Sequence, residues 1–167
     1  VLFNELIDRL TQKFVTIGVL ENTHLQDIKH SIIKYKPRIG ERYRSVPADR
    51  VYDLFHSTYY RIPLNKHRST VVTVHDFVYE KYKYGIKKSI HSWQKFRAIE
   101  KADLIICVSH STRNDLLEYG GNRYEDRSLV IHNGVSTSFR ALNHIRTVEQ
   151  ILFVGNRSGY KNFSSVV

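Results

Sequence analysis

The 167-residue chain has no methionine, one cysteine and three prolines, and its 16 acidic residues are outnumbered by 26 lysines and arginines. Each shortage excludes something. A lone Cys107 cannot form a disulfide within the chain, and its place in the apolar run Leu104, Ile105, Ile106, Cys107, Val108 makes it a small core hydrophobe. No apolar run is long enough to span a bilayer. No basic-then-apolar leader with a small-residue cleavage site is found, so we expect a cytoplasmic home. Because methionine is missing and a helical pattern is already running at Val1, we expect that sequence is missing upstream.

What is present suits a folded α/β protein. Hydrophobic residues make up 41% and charged residues 25% of the chain, enough to bury a core. The length allows one full domain, at roughly 100–200 residues each. The net charge of +10 reads either as a solvated basic surface or as attraction to a membrane carrying acidic lipids. The second reading would put the protein at the inner face of the membrane. Nucleic acid is not expected as a partner, because no long basic block or nucleic-acid module accompanies the charge.

Leu2, Phe3, Leu6, Ile7 and Leu10 recur at helical spacing over residues 1–12. Residues 14–20 (FVTIGVL) then read as a strand, residues 24–36 as helical or irregular, and Pro37, Gly40 and Pro47 punctuate a basic loop. From residue 51 onward, strands are expected at 53–55, 70–74 (TVVTV), 103–108 (DLIICV) and 128–131 (SLVI), with helices at 88–101 and 111–119 between them. Runs apolar on both faces suit parallel strands between helices. The pattern is that of a doubly wound, Rossmann-like parallel sheet. Ser109 or Ser111 can cap the later helix, with Thr112 and Asp115 as a capping box, and Gly120-Gly121 stops it.

In such a sheet ligands bind beyond the carboxyl ends of the strands. Three strands run into polar residues there: His56-Ser57-Thr58-Tyr59-Tyr60, His75-Asp76 and Ser109-His110-Ser111-Thr112. His75 reads as a site residue or as a histidine satisfying a turn, Asp76 as a ligand contact or a cap. His56 and His110 follow strands, where histidine is common. A zinc site from His56, His75 and His110 lacks a carboxylate or thiolate pair at ligand spacing, and no metal is expected. The surroundings of Ser109 (CVSHS) lack the glycines of a nucleophile elbow, and neither a Walker loop nor GxGxxG occurs. Residues 150–154 (QILFV) read as a strand turning through Gly155, Arg157 and Lys161 toward a helix. That turn suits a pyrophosphate, or is a solvated loop with two surface cations.

The ordered series STYYRIP (57–63), TVHDFVYEKY (73–82), ADLIICVSHSTRNDLLEYG (102–120), VIHNGVSTSF (130–139) and ILFVGNRSGYKNF (151–163) resembles the retaining GT-B glycosyltransferases of family 4, especially bacterial mannosyltransferase-type enzymes of surface-polysaccharide assembly. The resemblance implies two Rossmann-like domains facing across a cleft. Residues 1–136 would be the acceptor-side domain lacking its first strand, 137–149 a linker, and 150–167 the start of the donor-binding domain. It implies transfer of a hexose such as mannose from a GDP- or UDP-linked sugar to a saccharide or lipid-linked acceptor, with no cofactor. His75 matches the histidine that reaches the donor sugar, and Ser109 the serine of the strand-end VS motif. Asp76 and His56 are carried as substrate-side residues. Arg157 and Lys161, with Gly155, match the basic turn that neutralises the donor pyrophosphate. Ser136 stands where the family's NGVD loop has aspartate, and the amino-terminal glycine-rich strand and the downstream glutamate pair are not found. We therefore expect no transferase activity from these residues alone. The alternative, from a different class, is a non-catalytic sugar-binding or interaction domain.

Overall fold

The computed structural model describes residues 16–20, 31–35, 38–47, 51–57, 59–135, 139, 152–155 and 162–165. The chain separates into two units, Val1–Gly134 and Val135–Val167. In the first, β1 (Thr16–Leu20) and β2 (Ser31–Tyr35) pair in parallel. The second strand corrects part of the helical or irregular reading of residues 24–36. SIIKY carries two isoleucines and a tyrosine, which fit a pleated surface better than a helix. The expected helix at 1–12 lies outside the described residues.

A four-stranded sheet follows, built from β3 (Leu54–Ser57), β4 (Ser69–Val74), β5 (Leu104–Cys107) and β6 (Ser128–Val130), in that spatial order and all parallel. Parallel neighbours need crossovers. Helices α1 (Val78–Tyr82) and α2 (Ile86–Lys101) supply one between β4 and β5, and α3 (His110–Gly120) supplies the next. The register pairs Val72 with Ile105 and Val74 with Cys107. These four pack against Ala98 and Ile99 of α2 and Leu116 of α3 in one core. Val71 and Thr73, on the other face of β4, are buried too. A strand covered on both sides is what its unbroken β-branched sequence requires, and the architecture is α/β and Rossmann-like. Burial pushes the Cys107 thiol up to about 11, in keeping with its core position.

Two local expectations change. Ser109 caps α3 by accepting the Thr112 N–H at 3.1 Å, but Asp115 forms no box with Thr112. It lies one turn further along the helix and pairs with Lys81 at 2.6 Å. In the second unit, residues 152–154 are not strand, and Leu152 and Val154 are exposed. A strand is held by its ladder partners, and residues 152–154 have none among the described residues. Phe153 there meets Phe163 edge-on, with ring centroids 4.8 Å apart.

The stop of α3 is sterically specified. Gly121 holds φ 90°, where glycine is favoured, and a Cβ on Gly120 would lie 2.5 Å from the Tyr124 ring. Tyr124 is fully buried and donates to Glu100 at 2.7 Å, so its ring cannot yield. Gly120→Ala should therefore destabilise the fold by about 1–3 kcal/mol through overpacking, whereas Gly134→Ala, facing open space, should be near neutral. Urea midpoints of the two variants check this, and equal midpoints would refute the steric account.

Candidate active site

The carboxyl ends of β4 and β5 lie side by side, because Val74 pairs with Cys107. His75 leaves the first strand and Ser109 the second, and one side chain joins them. Thr112, buried in the first turn of α3, has its hydroxyl 3.0 Å from Ser109 Oγ and donates to the His75 carbonyl at 3.4 Å. The structure thus brings together two of the residues singled out from sequence. His75 itself is half-buried.

Asp76 is exposed, and its Oδ1 accepts the Val78 N–H at 3.1 Å, closing a turn into α1. His56 stands apart. It is a residue of β3 rather than of the loop beyond it, and register places it opposite Val71, on the sheet face away from α2 and α3. Its Nε2 is 2.9 Å from Thr73 Oγ1, and burial lowers its pKa. Ser57, next in the strand, is buried, and its hydroxyl has no partner among the described residues. His110 is exposed at the start of α3, where its ring meets His132 edge-on at 5.9 Å. His132 in turn bonds the Val108 carbonyl at 3.1 Å. No group of three metal-ligating side chains occurs among the described residues. Gly155 has φ 144° and is exposed in the second unit. Arg157 and Lys161 lie outside the described residues, as does Ser136.

Beneath His75-Asp76 runs a set of residues of which the sequence singled out only Tyr60, among the polar residues after the first strand. Lys95 of α2 is fully buried, and its ammonium donates to the Asp76 carbonyl and to Glu80 Oε2, each at 2.7 Å. It also sits 4.4 Å from the centre of the Phe77 ring. Glu80 Oε1 accepts from Ser92 at 2.7 Å. Tyr60, buried with φ 48°, places its hydroxyl against the His75 backbone. Its phenol is pushed well above the ordinary range, first by burial. The signal for Lys95 was available. Ala98 and Ile99 mark the inward face of α2, and positions 91, 94 and 95 precede them on that same face.

Burial pushes the Glu80 carboxyl upward, but the hydrogen bonds from Lys95 and Ser92, with the Lys95 charge, outweigh it and hold the pKa below the ordinary value. Burial lowers that of Lys95, and Glu80 only partly restores it. Removing one partner strands a buried charge, so Lys95→Met should cost about 3–5 kcal/mol, and pairing it with Glu80→Leu should recover much of that loss. A depressed carboxyl contributes stability that is complete above its unfolded pKa and lost as pH falls through the folded one. Wild type should therefore lose more stability in acid than Glu80→Gln. Parallel urea midpoints from neutral to acid pH would refute the charged pair.

Comparison with known proteins places the fold and this edge in context. The profile described as Glycosyltransferase Family 4 matches residues 15–139, which span both parallel sheets and every site residue described in the first unit. No curated protein and no solved structure matched the chain. With most of the chain covered by that one match, the protein belongs to glycosyltransferase family 4.

Proposed function

We propose that the protein transfers a hexose, mannose being the first candidate, from a GDP- or UDP-linked donor to a saccharide or lipid-linked acceptor, with retention of configuration. The observation that carries this reading is the tie between His75 and Ser109 through Thr112, at the edge of a sheet where α/β folds place ligands. In the transfer, the bond from the anomeric carbon to the diphosphate oxygen breaks and one to the acceptor oxygen forms. Negative charge then gathers on the leaving diphosphate. His75 is assigned to the donor sugar, with Asp76, Ser109 and His56 on the substrate side. Gly155, Arg157 and Lys161 are assigned to the diphosphate, where fixed cations would stabilise the charge as it develops. The nucleotide sugar is a substrate, and no cofactor is invoked.

The backbone of His75-Asp76 is held by Lys95, Thr112 and Tyr60, which suits a residue whose position matters more than its mobility. Isotope-labelled GDP- and UDP-sugars test the reaction on the full-length protein. Transfer of no label to any polysaccharide or lipid-linked acceptor would overturn it. His75→Ala should lower turnover by about a hundredfold or more with an unchanged unfolding midpoint, and wild-type rates would remove His75 from the site. Arg157→Ala or Lys161→Ala should weaken donor binding about tenfold, and donor affinity unchanged in both would mark them as surface charges.

A further inference from the structure

Arg42 is an exposed cation that buried residues hold in place. Its guanidinium donates to the Tyr59 hydroxyl and lies 4.8 Å from the centre of the Tyr59 ring, and its carbonyl accepts from Gln94 Nε2 of α2. The Tyr59 hydroxyl lies 3.1 Å from Nε2 of His91, which precedes Gln94 by about one turn on the same buried face of the helix. The Tyr79 ring stacks on His91 at 3.9 Å. Glu41–Tyr43, the short turn that carries Arg42, is held from its other side as well, because Arg61 pairs with Glu41 and donates to the Arg44 carbonyl at 2.9 Å.

Three unfavourable features meet at this spot. His91 and Gln94 are 8% and 3% exposed, yet His91 Nδ1 and Gln94 Oε1 have no partner among the described residues. Tyr60, next to Tyr59, holds φ 48°, which residues other than glycine rarely adopt. Unsatisfied buried groups and strained backbone collect where a fold positions something for use. What they position here is Arg42 with Tyr59. Burial first, and then the Lys95 charge, lower the pKa of His91, so its ring is neutral at neutral pH and adds no charge. Glu41, the nearest acid in sequence, is taken by Arg61, and Arg42 has no carboxylate partner among the described residues. Its fork is open to an incoming oxyanion. The cluster also borders the strand-end segment, since Tyr59 and Tyr60 follow β3 and Tyr60 places its hydroxyl against the His75 backbone.

We propose that Arg42 is a specificity residue that receives a carboxylate or phosphate group on the acceptor saccharide, with Tyr59 and Gln94 fixing the guanidinium for that contact. Two parallel N–H groups of a planar fork match either oxyanion, which a lysine does not. The acceptor unit is then an acidic sugar, a uronate or a sugar phosphate, rather than a neutral one. That a saccharide carries the oxyanion rests on the proposed reaction, whereas the oxyanion site itself rests on the geometry.

The Nε–H resonance of Arg42, assigned by its loss in Arg42→Gln, reports the contact without any transfer. Titration of the full-length protein with glucuronate and with glucose 6-phosphate should move it, at a Kd about tenfold or more below that for glucose. The tighter of the two acids identifies the oxyanion. Arg42→Lys keeps the charge but should bind that acid about tenfold more weakly, with its unfolding midpoint kept, and Tyr59→Phe should weaken binding about threefold. An unmoved resonance, equal affinity for glucose, or full affinity in Arg42→Lys would overturn the proposal. Inorganic phosphate binding as tightly as the sugar acids would also overturn it, by showing an adventitious ion only. Transfer of labelled sugar can fail while this site binds, and the reverse, so the two readings fall separately.

Discussion

The ammonium of Lys95 is the constraint on which the region around His75 depends. Taking an ion of that size out of water costs several kcal/mol even after relaxation, and a helix of ordinary core residues would avoid it. Here the cost is offset by Glu80, by the Asp76 carbonyl and by the Phe77 ring. Those partners come from α1 and from the segment between β4 and α1, so one side chain of α2 fixes two other pieces of chain. Glu80 is itself completed by Ser92, which returns the network to α2 one turn before Lys95. A half-satisfied network of this kind would be worse than an apolar core. The pair therefore specifies a conformation for the strand-end segment more than it adds stability.

From the sheet side, that segment is fixed by register. Val74 opposite Cys107 sets the ends of β4 and β5 level, and Ser109 begins α3 with the cap that places Thr112 against the His75 carbonyl. A one-residue slip would turn every side chain of β4 to the other face. It would also move Thr73, with the His56 contact, into the core under the helices. The position of His75 is thus set twice over, by strand pairing and by the buried ammonium.

Much of this was legible in the residues. The strands at 70–74 and 103–108 announced themselves by β-branched and apolar runs, and Gly120-Gly121 marked the end of α3. What escaped shows where one-dimensional patterns fail. SIIKY is short and lies among basic residues, so its strand character needed β1 beside it. Asp115 fits a capping box by spacing, yet a lysine from α1 takes its carboxylate. His56 reads as a loop residue until the register shows that β3 continues past it.

Helix α2 divides its apolar residues between two faces. Ile86, Ile90 and Trp93 form one well-spaced helical stripe, and Ala98 and Ile99 lie on the other face. The structure leaves the first stripe exposed and buries His91, Gln94 and Lys95 together with Ala98 and Ile99. That buried side meets the Tyr79 ring stacked on His91 at 3.9 Å, the Arg42 carbonyl for Gln94, and Glu80 with Asp76 for Lys95, while His91 Nδ1 and Gln94 Oε1 have no partner among the described residues. Ala98 and Ile99 of the same face join the hydrophobic core, so apolar burial and the pairing of Lys95 orient the helix together. Ile86, Ile90 and Trp93 are left on the outer surface of α2 with the exposed Lys87. The network that positions His75 and the exposed apolar residues of α2 are therefore two consequences of one helix orientation.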